Sequence, residues 1–444
     1  MSRMAANSPA AADSRRGTER RAAVRGWGDG LIAVLAGFVA MTATAALGLW
    51  AAGAADLPRA AFPRVIAAVV VLASGGAVDI SGGAGFLADA QADLSVLPLS
   101  VTLVGALTTG YLFVRPLRHR AVASARELVL RAVQLTVLWL LVLAGFAAFA
   151  RQTFGVSIGD NPLGDLTDLL DATPTVGFAA DVGATLGFGL LWIVGLLVLA
   201  LLVSPRAPLP PRLLRFHTAV RPAASAVAGL LLAYVVLGVV VGLVTAGTRG
   251  HATETFAVML LGLPNLAWIA LTLGLGGAWE GRVDGPFGLP MPHALDQVLR
   301  TPDLSRVDVG TLAARNGWYW WLVPLAAVLV LAAAFAMAVR SPARVRPWQH
   351  ALHLAVALGL AALTVCLLAG VHAQVGLSLL GLGDVDGGLG GRVELRPLML
   401  RTVGLAVLWG AVAGFVGGLL ATRVRHHGEA PPPRRPTTEP DKTA

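Results

Sequence analysis

The chain has one cysteine and a single lysine, Lys442, in 444 residues, and only 13% of it is charged. Each scarcity excludes something. Cys366 cannot form an internal disulfide, and no His or Cys stands around it at metal-ligand spacing. It reads as a small buried hydrophobe. Charge this sparse, against 56% hydrophobic residues, excludes an ordinary soluble domain, where about a quarter of residues are charged. The catalytic signatures are missing as well. There is no Walker-A loop, dinucleotide fingerprint, Gly-x-Ser-x-Gly elbow or His-Glu-x-x-His. His350 and His353 stand without an acid near them in sequence, so no general acid–base pair forms there. No catalytic residue, metal site or cofactor is implied, and the chain does not read as an enzyme. Its net charge of +9 is almost wholly arginine in an alanine- and glycine-rich background. That pattern fits GC-rich coding and does not call for a nucleic-acid partner.

What is present is apolar length. Runs near 20 residues recur throughout, each long enough to cross a bilayer as a helix. The fold class is therefore all-α, a polytopic helical membrane protein whose first partner is the lipid bilayer. Ten segments are legible, at roughly 29–52, 62–78, 96–114, 130–150, 183–203, 223–246, 255–279, 318–339, 350–373 and 400–421. Residues 1–25 are polar and read as a disordered tail before the first anchor. Arg15-Arg16 and Arg20-Arg21 are weaker as a twin-Arg export signal, because the run that follows is longer than a signal core. Residues 423–444, with Pro431-Pro432-Pro433, read as a second disordered tail.

The segments fall into two sets of five. At an offset of 201, Leu31 to Phe86 aligns without a gap on Leu232 to Phe287. Pro63 meets Pro264, Gly75-Gly76-Ala77 meets Gly276-Gly277-Ala278, and Asp79 meets Glu280. The fifth segments align at offset 217, Thr185, Gly187, Leu191 and Trp192 on Thr402, Gly404, Leu408 and Trp409. The expected organisation is a repeat unit over 26–221 and a second over 222–422. Duplication of this kind marks many transporter folds.

Arginine placement gives an orientation. If the second segment of each unit enters and leaves on one side, then 23 of the 34 basic residues gather on one face. That face holds 1–25, 115–131, 204–221, 340–347 and 423–444. If all ten segments cross, the basic residues divide 16 to 18 and the bias vanishes. Cytoplasmic loops collect Lys and Arg, so the first arrangement puts both termini inside the plasma membrane. Proline supplies the reason for an odd segment, since it removes a helical hydrogen bond and clashes with the preceding turn. Groups freed in this way need protein or a water-lined cavity. A re-entrant segment and a kinked spanning helix both satisfy this. If the segments span, the two units are inverted relative to each other.

Intramembrane polar residues are the candidates for function. Gln134, Thr108, Thr109, Tyr234 and Asn265 are the main ones, and Asn265 is the sharpest because it follows Pro264. It either contacts a polar solute or caps a second half-helix. The candidate pathway comprises Pro63, Gly75, Gly76, Asp79, Pro264, Asn265, Gly276, Gly277 and Glu280. Both prolines are expected to interrupt helices in the interior. Residues 151–182, with Asp160, Asp165, Asp168, Asp171 and Asp181, lack EF-hand spacing and read as a solvated external loop. Trp318 to Trp321 read as an interfacial aromatic belt. Gly410, Gly414 and Gly418, and likewise Gly183 and Gly187, are spaced for close helix packing within the chain.

Two stretches, Val101-Thr102-Leu103-Val104-Gly105-Ala106-Leu107 and Gly262-Leu263-Pro264-Asn265-Leu266-Ala267-Trp268, resemble the streptophobe family of actinobacterial membrane proteins. Across 27–425 the layout is also similar. The resemblance implies a multi-spanning plasma-membrane protein and transfers no activity or site residues. Two functions stand: a transporter or channel-like protein with a polar pathway for a small solute between the units, or a non-transporting envelope scaffold or membrane subunit of a larger complex.

Overall fold

The computed structural model describes residues 9–56, 61–83, 88–116, 125–155, 175–204, 214–284, 305–342, 344–379 and 391–426. Among these are eleven α-helices. The first half holds α1 (Pro9–Ala51), α2 (Phe62–Ala73), α3 (Leu99–Val114), α4 (Ala125–Phe149) and α5 (Val182–Val203). The second half holds α6 (Leu214–Arg249), α7 (Ala252–Gly274), α8 (Val309–Arg315), α9 (Leu322–Arg340), α10 (Pro347–Leu368) and α11 (Met399–His426). Eight helices are long and apolar enough to cross a membrane, so the chain is a polytopic helical membrane protein. Large apolar side chains such as Leu35, Leu141, Leu191, Val241, Val328 and Leu360 face outward along them. A protein in water would hide such a belt, and lipid accepts it.

The segments of the sequence reading reappear as helices with ends shifted by a few residues. α1 differs most, because its helix begins at Pro9 within the basic stretch. Residues 427–444 lie outside the described residues.

The larger departure is on the loops. They carry β1 (Val78–Gly83), β2 (Ala88–Ser95), β3 (Arg151–Gly155), β4 (Thr175–Ala180), β5 (Trp279–Asp284), β6 (Ser305–Val307), β7 (Val371–Leu379) and β8 (Gly391–Pro397), two of them, β3 and β4, in the 151–182 stretch expected as a solvated loop. All eight join one antiparallel sheet in the order β3-β4-β1-β2-β7-β8-β5-β6. The physical cause is pairing: each loop is flanked by helix ends, and its backbone groups find partners within the loop and on the neighbouring loop. Of the aspartates in 151–182, Asp160, Asp165, Asp168 and Asp171 lie outside the described residues.

The sheet gathers one end of the bundle. α2, α4, α7 and α10 run into strands, and α3, α5, α8 and α11 start directly from strands. The opposite face holds the ends of α3, α5, α9 and α11 and the starts of α4 and α10. α1 runs parallel to α4, since Gly26 abuts Gln134, Gly30 abuts Leu138, and the Phe38 ring lies 4.4 Å from Trp139 and 5.1 Å from Phe146. Its N-terminal end is therefore on the face away from the sheet. α6 also begins there, because Arg221 donates to the Ser204 carbonyl at the end of α5.

The core is split. One buried cluster lies in the first half, around Val34, Phe38, Met41, Val71, Trp139 and Ile193. A second lies in the other half, around Tyr234, Leu271, Val330, Met337, Leu358 and Ala406. A third mixes the halves beneath the sheet, with Leu99 against Ile269, Trp279, Leu312 and Leu395. Gly410 and Gly414 let α11 lie directly on α10: a Cβ on them would stand 2.7 Å from Ala355 Cα and 2.6 Å from the His350 carbonyl oxygen. Gly187, by contrast, has open space around it, so the same spacing on α5 serves no close contact.

Candidate functional site

Pro63 and Pro264 sit in helices that do not break at them. Pro63 is in the first turn of α2, where a missing N–H costs nothing. α7 runs continuously through Pro264. Ser100 bridges the rung just before it. Its hydroxyl donates to the Met259 carbonyl (2.8 Å) and accepts from the Leu263 amide (3.1 Å). These two groups are four residues apart in α7, so a side chain from α3 is inserted into the helical ladder just before the proline. Asn265 is buried, at 8% exposure. Its Oδ1 accepts from the Leu99 amide (3.2 Å) and its Nδ2 donates to the Leu97 carbonyl (3.0 Å). It caps no half-helix. It fastens α7 to the start of α3, across the two halves.

α2 and α7 both stay near the sheet. α2 has 12 residues, about 18 Å of helix, which is too short for a hydrocarbon layer of about 30 Å. Arg64, in its first turn, donates to the Arg151 carbonyl (3.0 Å) in β3, and its Ala73 carbonyl accepts from Thr102 (2.8 Å) near the start of α3. α7 is longer, but Asn265 meets the start of α3, and a Cβ on Gly274 would stand 2.5 Å from the carbonyl oxygen of Leu322, the first residue of α9. Both contacts are at sheet-side helix starts.

The glycine pairs terminate helices. Gly75 has φ +85° and Gly276 φ +88°, the left-handed conformation that glycine adopts without strain. The Gly76 amide donates to Val71 O (3.0 Å) and Gly75 to Leu72 O (2.9 Å); Gly277 donates to Thr272 O (2.8 Å) and Gly276 to Leu273 O (2.8 Å). This is the Schellman pattern at both places. The next residue ties each turn to another helix. Ala77 O accepts from Asp181 N (3.2 Å) before α5, and Ala278 O accepts from Leu398 N (2.9 Å) before α11. Gly76 and Gly277 then press against the buried Thr185 and Thr402.

Asp79 and Glu280 lie one residue into β1 and β5. Asp79 is exposed and in register with Asp93 and Ala179. Glu280 is half-buried and in register with Arg306 and Arg396. β1 and β5 are separated by β2, β7 and β8, roughly 19 Å across a sheet. The candidate pathway residues thus form two separate corners plus the Asn265 joint, and do not converge.

Beside the second corner is a half-open cavity of about 730 Å³. Its walls are Leu97, Cys366, Leu367, Gly370 and the run Arg396 to Arg401, with Arg306 at the rim. It adjoins the sequence-derived residues without containing them. Leu97 holds Asn265 on its other side, and Arg401 Nε donates to the Gly276 carbonyl (3.1 Å). Sequence reasoning passed over these arginines and Ser100, which stand near or beyond the edges of the apolar segments. The offset of 217 that pairs Thr185 with Thr402 also pairs Asp181 with Leu398 and Ala184 with Arg401, which was the available signal. No protein-family model, curated protein or solved structure matches the chain.

Proposed function

We propose that the chain is a non-transporting membrane scaffold, a helical bundle that carries an eight-stranded sheet as a platform for partners on one membrane face. One observation carries this reading. The sharpest of the polar candidates for a solute pathway, Asn265, is consumed together with Ser100 in joining α7 to α3. The sheet supports it by running unbroken from one half to the other through β2 and β7. The chain reads as a direct duplication. The sheet order β3-β4-β1-β2 is followed by the equivalent order β7-β8-β5-β6, and the two Schellman turns sit 201 residues apart. The likeness to the streptophobe family is retained as part of this proposal.

The arginine-rich segments 115–131, 204–221 and 340–347 join helix ends opposite the sheet. By the positive-inside rule that face is cytoplasmic, and the sheet is outside. Thiol labelling of Arg120→Cys and Arg212→Cys, in a Cys366→Ser background, tests it. Neither should react with an impermeant reagent in intact cells; reaction of both reverses the orientation.

For the function itself, the purified protein is reconstituted in liposomes. Solute permeability and electrical conductance should equal those of empty liposomes, and Asn265→Leu should lower thermal stability. A conductance or solute uptake that Asn265→Leu abolishes without loss of stability would overturn the scaffold in favour of transport.

A further inference from the structure

The two equivalent corners treat the start of the following helix differently. In the first, the Asp181 carboxylate accepts from the Ala184 amide (3.1 Å) and places a negative charge at the start of α5. In the second, Leu398 stands where Asp181 would be and offers no acceptor, while Arg401 replaces Ala184. The cavity opens at this point. Three arginines line it, Arg306, Arg396 and Arg401, and no acidic residue does. Arg306 pairs with Asp308 (3.5 Å), outside the lining, and Arg396 with Glu394. Arg401 has a carbonyl partner in Gly276 and, among the described residues, no acid. The remaining wall is apolar. Leu400 is 92% exposed and Leu367 61% exposed, both on the lipid-facing outside of the bundle at its sheet end.

We infer that this cavity binds the headgroup of an anionic phospholipid from the sheet-side leaflet, with Arg401 nearest the phosphate. The first corner carries the required charge internally, as Asp181. The second takes it from the membrane. Arginine suits the planar, multidentate recognition of phosphate oxygens. The exposed leucines commit the occupant to a lipid, because a free anion gains nothing from them.

The test uses the full chain in nanodiscs and native mass spectrometry, with phosphatidylglycerol and phosphatidylcholine as probes. Wild-type protein should retain phosphatidylglycerol about 25-fold more tightly, with Arg401 and Arg306 each contributing roughly fivefold. Arg401→Gln and Arg306→Gln should each reduce the preference, and Leu398→Asp should abolish it by installing the internal anion. If Arg401→Gln fails to fold, because it also holds Gly276, Arg306→Gln and Leu398→Asp decide. Equal retention of both lipids, or a preference that survives Leu398→Asp, overturns the proposal. Displacement of phosphatidylglycerol by millimolar inorganic phosphate overturns it too, by assigning the site to a free anion.

Discussion

The corner where α2 meets α5 and the corner where α7 meets α11 share a backbone and differ in their closure. Each has a Schellman turn, a glycine in the left-handed region, a second glycine against a buried threonine, and a carbonyl tied to the residue before the next helix. In the first, Asp181 closes the helix start. In the second, the spare carbonyls of α7 are taken by long side chains: Trp409 Nε1 donates to Leu275 O (3.1 Å) and Arg401 to Gly276 O. The comparison teaches that both turns use a backbone geometry glycine adopts without strain, while the side chains around them differ: Asp181 closes one, and Arg401 lines a cavity beside the other.

The second glycines offer the sharpest way to break the likeness. A Cβ on Gly277 would stand 2.6 Å from the Thr272 carbonyl oxygen, which is backbone and cannot turn aside. On Gly76 it would meet Val71 Cγ1 at 2.5 Å and Thr185 Oγ1 at 2.8 Å, both side-chain atoms. Overpacking costs typically about 1–3 kcal/mol. Gly277→Ala is expected at the upper end and Gly76→Ala at the lower, read as apparent thermal midpoints from the fluorescence of the 11 tryptophans. Equal losses would make the corners interchangeable.

Next in size are the residues after the two prolines, Asn265 and its equivalent Arg64. Asn265→Leu leaves the Leu97 carbonyl and Leu99 amide without their partner, a loss of about 2 kcal/mol. Arg64 reaches the exposed Arg151 carbonyl and Gln152, so Arg64→Ala should cost under about 1 kcal/mol. A larger loss at Arg64 would mean that β3, an edge strand, holds the first corner together.

Gly75→Ala and Gly276→Ala should then agree. Each forces a left-handed residue, at roughly 1–2 kcal/mol. Unequal midpoints would show that one turn relaxes and the other does not. The smallest effect is expected at Pro63→Ala, within about 0.5 kcal/mol, because a first-turn proline has no carbonyl to free. Pro264→Ala should exceed it in the stabilising direction, since it restores an amide inside α7.

Much of the site was legible as position and little of it as role. Pro264, Asn265 and the glycine pairs stand out because proline and glycine are the strongest local signals. Their use as a solute pathway was an inference from polarity inside an apolar chain. Polarity alone does not distinguish a group awaiting a ligand from one bonded to Leu97 or Leu99, more than 160 residues away in sequence. The prolines illustrate the same point. Sequence predicts an interruption at Pro264, but α7 runs on through it, with Ser100 from another helix bridging the preceding rung.

By itself the sequence determined the solvent and the positions of the apolar segments, because apolar length is a property of the chain read alone. Only tertiary structure decided that the connecting loops become one sheet, with β2 joined to β7. The strands are short, and although β2 and the start of β1 alternate apolar with polar residues, most of the apolar positions are alanine, too small to mark a strand clearly. Their pairing follows from helices holding their ends side by side, which no local pattern encodes. The cavity at Arg401 has the same origin, since it exists where two helices, a turn and a strand meet without filling the space between them.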